Sequence, residues 1–356
     1  MESNDGAQLS NQAVNPPTPQ NSKPPKKHTV LLVVGLLLVA TAICAGIWLT
    51  ASTKEEQATN TSTGVVEKGW IIADGKASVP RTEVSGALYN AQVFVVGGFN
   101  EAGQPVNTVE LYDPQTDAWS EGPALPIAVH HTGAATLGDQ LYVVGGFTGT
   151  DFKPTDKVYV YNGTAWVEGP KLPQPLGAQG IAVWGDRLFV VGGNQANGAS
   201  TGVMYSLGVG DTEWQIEPSM PTLRNHLTLA AANDKLYAIG GRDENSMTLQ
   251  TVEIYDPVTK KWQTGADMPT GRSGITSAVV GGKVYVFGGE STDKTFNEAE
   301  EYNPVSDTWG KLTPMPEARH GLGSAVFSNN IYLFLGGPQP GLTVSDTVQI
   351  LSFSGE

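Results

Sequence analysis

The sequence predicts an all-β protein built from six copies of one four-stranded unit. Three observations carry that expectation. A glycine pair closes an apolar run six times, at Gly97-Gly98, Gly145-Gly146, Gly192-Gly193, Gly240-Gly241, Gly288-Gly289 and Gly336-Gly337, at intervals even to within a single position. A tryptophan keeps the same interval at Trp70, Trp119, Trp166, Trp214, Trp262 and Trp309. The composition agrees: 43 glycines in 356 residues and only 16% charged residues, against roughly 7% glycine and 25% charged in ordinary soluble domains. Such a chain suits short strands and dense turns, and fits poorly with long soluble helices.

Ahead of the repeats the chain changes character twice. Residues 1–28 carry Pro16, Pro17, Pro19, Pro24 and Pro25 among Asn, Gln and Ser, too little apolar surface to fold, and read as a disordered cytosolic tail. No Lys, Arg, Asp or Glu occurs between Lys27 and Lys54. The apolar run at 30–49 matches the ~20 residues that a helix needs to cross a bilayer. Residues 29–50 are therefore expected to form a transmembrane signal-anchor helix. Lys23, Lys26 and Lys27 precede it, so the positive-inside rule puts the N-terminus in the cytoplasm and the rest outside, as a single-pass protein of the cell membrane. A cleaved signal peptide ending at Ala40-Thr41-Ala42 is the competing reading; the apolar run continuing through residues 43–49 argues against it. Residues 51–65, rich in Thr, Ser and Glu, read as a flexible linker.

The repeats fill residues 66–356. From Ala51 onward, 18 basic residues face 33 acidic ones. No basic field is available for phosphates, which excludes nucleic acid as a partner. Cys44 is the single cysteine; an intrachain disulfide, a cysteine zinc module and a cysteine nucleophile in the repeats are excluded with it.

Each unit reads as four short strands. The first is made of small residues, as in Thr132-Gly-Ala-Ala-Thr, and suits a strand crowded near an axis. The second is an apolar run such as Leu141-Tyr-Val-Val, ended by the glycines. The third alternates, as in Val109-Glu-Leu-Tyr112 and Val252-Glu-Ile-Tyr255, and leads into turns at Asp113-Pro114, Asp256-Pro257 and Asn303-Pro304. The fourth starts at the tryptophan, large enough to fill a gap between sheets.

A glycine pair followed by a spaced Tyr and Trp resembles the kelch repeat. The match covers all six units and about four fifths of the chain, departing at Leu207, where Tyr is expected, and at Leu335, an extra residue before the last glycine pair. The resemblance implies a six-bladed kelch-type β-propeller. The strand at Trp70 precedes the first glycine pair and the last unit lacks a Trp, so the N-terminal strand is expected to complete the sixth blade.

Aligned on the second-strand aromatic, the units share one position at the entry to the innermost strand, occupied by Arg81, Val129, Leu176, Arg224, Arg272 and Arg319. Four of six arginines share this position, and Arg242 follows Gly241 on the same face. A ring of permanently charged donors at the central mouth suits a carboxylate or other anion; the same position suits arginines that bond backbone carbonyls or glutamates. His130, His131, His226 and His320 lie one or two residues past the entry, without carboxylates or cysteines at metal-ligand spacing, so no metal or other cofactor is expected. Phe99, Phe147, Phe152 and Phe296 sit in loops of the same face, as sugar-stacking surfaces or loop anchors. Asp139, Asp186 and Asp234 are turn formers.

Catalytic signatures are sparse. There is no H-E-x-x-H and no phosphate loop. Kelch propellers include a galactose-type copper oxidase, whose cysteine-crosslinked tyrosine has no counterpart here. The chain also resembles bacterial sialic-acid epimerases, which implies an acid and an arginine near the mouth. Glu290 follows Gly288-Gly289, but its loop has no arginine, so Arg272 or Arg319 would have to approach it. The loops after the glycine pairs are short and even, which suits partner recognition better than an enclosed reaction. The expected function is an extracytoplasmic module binding an extracellular protein or an anionic or carbohydrate ligand; the alternative is a mutarotase or epimerase of an acidic sugar.

Overall fold

Small residues make the inner strands because six of them crowd around one axis. The computed structural model describes residues 66–354; the expected tail, membrane helix and linker lie outside the described residues. Inner strands are Ser85–Tyr89, Gly133–Leu137, Gly180–Trp184, Thr228–Ala232, Thr276–Val280 and Gly323–Phe327. A Cβ on Gly323 would stand 2.9 Å from the backbone nitrogen of Gly86 in the neighbouring inner strand, so glycine permits that approach.

The second strands, among them Gln92–Val96, Gln140–Val144 and Lys283–Phe287, are buried at every position after the first. Sheets cover both faces of these strands, which explains runs such as Val-Phe-Val-Val in place of alternation. Third strands such as Val109–Asp113 and Val252–Asp256 come next, then outer strands such as Ala118–Glu121 and Lys261–Thr264. Each of the six blades is one four-stranded sheet.

The sixth blade closes as expected. Val66–Ile72 pairs antiparallel with Val348–Ser354, Trp70 opposite Leu351 and Ile72 opposite Gln349. The N-terminal strand thereby covers an edge that the last unit would leave open. Among the described residues, no helix is long and apolar enough to cross a membrane.

Apolar clusters fill the spaces between blades, and five of the six periodic tryptophans add a polar tie. The indole Nε1 of Trp166, Trp214, Trp262, Trp309 and Trp70 donates to the carbonyls of Pro123, Pro170, Pro218, Ala266 and Thr313, at 2.7–2.8 Å. Each carbonyl follows the outer strand of the preceding blade, so the periodic tryptophan joins blade to blade. Trp119 Nε1 is buried without such a partner.

One detail of the repeat register is corrected. Leu335 is not an extra residue before the sixth glycine pair: it occupies the first glycine's place. Its φ is 58°, beside 62° at Gly97 and 60° at Gly240, and Gly336 takes the second place at 91°. Leu207 is fully buried in an interblade cluster, filling the tyrosine position of the third blade.

Candidate functional site

The entry arginines turn inward. Arg81, Arg224 and Arg272 are wholly buried and Arg319 nearly so. Arg81 donates to Glu110 at 2.8 Å and to the Gly97 carbonyl at 2.7 Å; Arg272 donates to Glu300 at 2.6 Å and to the Gly288 carbonyl at 2.7 Å. Arg224 does the same with Glu253 and with the carbonyls of Gly240 and Ala238. Arg319 meets Glu317, Ser345 and Thr347. This departs from the expected ring of ligand donors: the guanidinium groups of Arg81, Arg224 and Arg272 tie the second and third strands of their own blades together, and that of Arg319 ties the entry segment to the residues before the third strand. The sequence carries a signal for it. Blades with a buried Arg–Glu pair have Glu110, Glu253 or Glu300 second in the third strand, whereas the blades that begin at Val129 and Leu176 have the buried Tyr159 and Tyr205 there.

Two residues past each entry, the six blades meet at one ring. Glu83, His131, Ala178, His226, Gly274 and Gly321 all have left-handed φ, between 51° and 63°. Their backbones bond from blade to blade: His131 N to Glu83 O, Ala178 N to His131 O, His226 N to Ala178 O, Gly274 N to His226 O and Gly321 N to Gly274 O, with Val84 N to Gly321 O closing the circle. Left-handed backbone disfavours most side chains. Repeat counting placed His131 and His226 at this mouth but missed Glu83, which shares their left-handed position.

Those side chains and their neighbours form a closed circuit of ionisable groups. Glu83 places Oε2 3.1 Å from His131 Nε2 and Oε1 3.1 Å from His320 Nδ1. The His131 and His226 rings lie edge to face at 4.8 Å. His226 Nε2 is 2.7 Å from Arg242 Nη2, and Arg242 Nη1 is 3.2 Å from Glu290 Oε1. Glu290 Oε2 returns to His320 Nδ1 at 3.6 Å. Gly321 makes room for this: a Cβ there would collide with the Glu83 carboxyl group.

Partner chemistry assigns the protons. Arginine only donates, so His226 Nε2 accepts and the ring is neutral, Nδ1 donating to Asn225 Oδ1. Burial, followed by the fields of Arg242 and His131, holds His226 well below the usual histidine range. His320 faces a carboxylate at Nδ1 and the Gln339 carbonyl at Nε2, 3.0 Å away, so both nitrogens donate. Burial opposes that charge, but the hydrogen bond and field of Glu83, with Glu290 behind them, raise its pKa. Glu83 is likewise disfavoured by burial, yet His131 and His320 hold its carboxyl well below the usual range.

A cleft of about 580 Å³ opens beside the circuit, between the loops of the second, third and fourth blades. Its walls include Phe152, Lys153, Asn194, Gln195, Arg242 and Met247, with Asn225 and His226 also lining it. Arg242 is the arginine of the mouth whose side chain reaches solvent, at 21% exposure. Phe152 is exposed near the end of a short ribbon, Phe147–Thr148 paired with Lys153–Pro154, that the repeat pattern does not predict. Phe99, Phe147 and Phe296 are buried loop anchors.

Glu290 does meet an arginine, but it is Arg242 of the neighbouring blade rather than Arg272 or Arg319. Gly198-Ala-Ser200-Thr-Gly202 has G-x-S-x-G spacing, which signals a serine nucleophile on a strand-to-helix turn. Here no helix follows, and Ser200 Oγ accepts from Asn225 Nδ2 at 2.8 Å, while the histidine next to it in the chain of contacts, His226, bonds Asn225 rather than the hydroxyl. Among the described residues, no three or more His, Cys, Asp or Glu side chains form a metal-holding group.

Six four-stranded blades around a closed ring define a six-bladed β-propeller. A Kelch motif model matches residues 80–126 and 128–173, and the KLHDC2/KLHL20/DRC7 Kelch-repeats domain model matches 178–353. The chain belongs to the kelch-repeat family, whose propellers commonly serve as protein-binding modules. Human Kelch repeat and BTB domain-containing protein 12 is 35% identical over 79 residues, covering 19% of this chain and 13% of that protein. Mouse Kelch-like protein 35 is 41% identical over 71 residues, covering 20% of this chain and 12% of that protein. The chain thus spans about an eighth of the length of these relatives. A solved structure entitled "Structure of YjhT" superposes with a TM-score of 0.67 at 17% identity, covering 79% of this chain and 99% of that one; it supports the fold alone.

Proposed function

We propose that this chain is a membrane-anchored, extracytoplasmic binding module whose propeller mouth engages a protein partner through a carboxylate of that partner. The observation that carries the reading is Arg242. Its guanidinium is held between His226 and Glu290 and still borders an open cleft with Phe152 and Lys153 on the wall. A fixed planar donor beside an exposed aromatic suits an extended segment with an acidic group. The uncharged run at 30–49, with three lysines just before it, supports the anchor and its orientation. Protease added to intact cells should remove the propeller and spare the N-terminal tail. Arrays of peptides with free or amidated carboxylates test the mouth: binding should need the free carboxylate and be lost in Arg242→Ala.

A second reading is favoured by one contact. Glu290 and Arg242, from adjacent blades, meet at 3.2 Å and provide the acid and arginine that an acidic-sugar mutarotase or epimerase requires. Glu290 would move the proton and Arg242 hold the sugar carboxylate. A Glu290→Gln variant with undiminished mutarotation of acidic sugars would remove this reading.

A further inference from the structure

We propose that an anion binding at this mouth takes up one proton with it, held between His130 Nδ1 and His131 Nδ1; the inference rests on the mouth being the binding face. The two Nδ1 atoms lie 2.6 Å apart. His130 Nε2 faces the Gly149 carbonyl at 3.1 Å, and His131 Nε2 faces the Glu83 carboxylate at 3.1 Å. Both partners only accept, so both Nε2 atoms carry hydrogen. Two neutral rings would then turn bare lone pairs toward each other at hydrogen-bond distance, and moving either hydrogen to Nδ1 would oppose a lone pair to an oxygen instead. A third proton satisfies all four nitrogens at once, and the pair then carries one positive charge.

The surroundings say why that proton needs an anion. The pair is stacked against Phe99 and Phe147 and capped by Phe152, and burial pushes His130 down to about 4 and His131 to about 3. The charged groups facing it are already balanced: Glu83 and Glu290 are negative, His320 and Arg242 are positive, and His226 is neutral. Asp151 and Lys153 flank Phe152 on the ribbon above, one of each sign. A shared proton therefore leaves the mouth with one uncompensated positive charge, which a bound carboxylate near Arg242 offsets. By linkage, uptake of one proton strengthens anion binding as pH falls from the midpoint of the anion-bound pair to that of the free pair, by about tenfold in all for each pH unit that separates the two midpoints.

The test is a nitrogen-15 histidine NMR titration of the full chain in detergent, with and without 100 mM sodium acetate at constant ionic strength. The two Nδ1 signals should move together in one step, and acetate should raise its midpoint by about one pH unit. The shift should vanish in Arg242→Ala. In His130→Phe, which keeps the aromatic packing and the melting temperature, the joint step itself should be lost. Separate titrations of the two histidines, a midpoint indifferent to acetate, or an acetate response that survives in His130→Phe would each overturn the proposal. Carboxylate-dependent peptide binding with no pH dependence would overturn the proton coupling and leave the binding reading standing. An acetate shift without peptide binding would do the reverse.

Discussion

Arg81 and Glu110 are joined at 2.8 Å inside the first blade, both almost wholly buried, and the first five blades change the two positions together. The sixth keeps Arg319 with Gln349 at the second position and pairs the arginine with Glu317 instead. Arg224–Glu253 and Arg272–Glu300 repeat the pair, whereas Val129 and Leu176 accompany Tyr159 and Tyr205. Ion pair and apolar pair are alternative ways to fill one site between the second and third strands.

That exchange predicts a specific mutational asymmetry. Arg224→Leu alone strands the Glu253 carboxylate and should destabilise by about 3–5 kcal/mol, the usual cost of breaking a buried pair. Arg224→Leu with Glu253→Tyr reproduces the third blade's solution and should recover more than half of the loss. Denaturant unfolding of the four members of the cycle decides it; a double variant as weak as the single would contradict the pairing.

Gly321 should govern His320. Alanine there collides with the Glu83 carboxyl and must also adopt a φ of 58°. Gly321→Ala should destabilise by about 2 kcal/mol or more. It should also lower the His320 pKa, because the partner that raises it is pushed away. An NMR titration in which His320 is unmoved would contradict the assignment.

The mouth should also set an acid limit on stability. His130, His131 and His226 have pKa values depressed by burial, so below pH ~6.5 the unfolded chain binds protons that the folded chain refuses, and stability falls as pH drops. His320 acts in the opposite sense: its raised pKa adds stability that is complete below ~6.5 and is lost as pH rises through the folded value. Glu83, held low, adds stability above ~4.5 that is lost in stronger acid. Three depressed imidazoles outweigh one raised one, so the melting temperature should fall steadily from pH 7 to pH 5. A flat or rising profile would contradict the neutral assignments.

Closure by the N-terminal strand gives a fourth expectation. A chain beginning at residue 73 lacks Val66–Ile72 and exposes the edge of Val348–Ser354. It should aggregate and melt well below the full chain, as measured by light scattering and calorimetry. A truncated chain that stays monomeric with an unchanged melting temperature would show that the strand is dispensable.

The fold was legible because its cause is periodic. Glycine pairs mark where left-handed backbone ends each second strand, tryptophans mark the blade-to-blade ties, and both recur at fixed intervals. The misplaced feature was Leu335, since a leucine in a left-handed position has no compositional signature. The site was legible in part. Counting found the face, with the histidines, Glu290 and Arg242 on it. It also placed four arginines there whose depth is set by a carboxylate in the third strand of the same blade, Glu110, Glu253 or Glu300, or by Glu317 in the sixth. The Glu83–His320 contact joins residues 237 apart in sequence, and only closure of the ring brings them together.

The most direct test is a thermal-shift comparison of the full chain, Arg242→Ala and Arg187→Ala, with carboxylated peptides, acidic sugars and neutral sugars as ligands. A ligand at 100 times its Kd adds about 2.7 kcal/mol. A carboxylate ligand should raise the melting temperature of the unaltered chain and of Arg187→Ala, whose arginine contacts Ser206 and Asp211 within the third blade, and leave Arg242→Ala unmoved. A shift of equal size in Arg242→Ala would contradict the account, because the ligand would then be held away from the mouth.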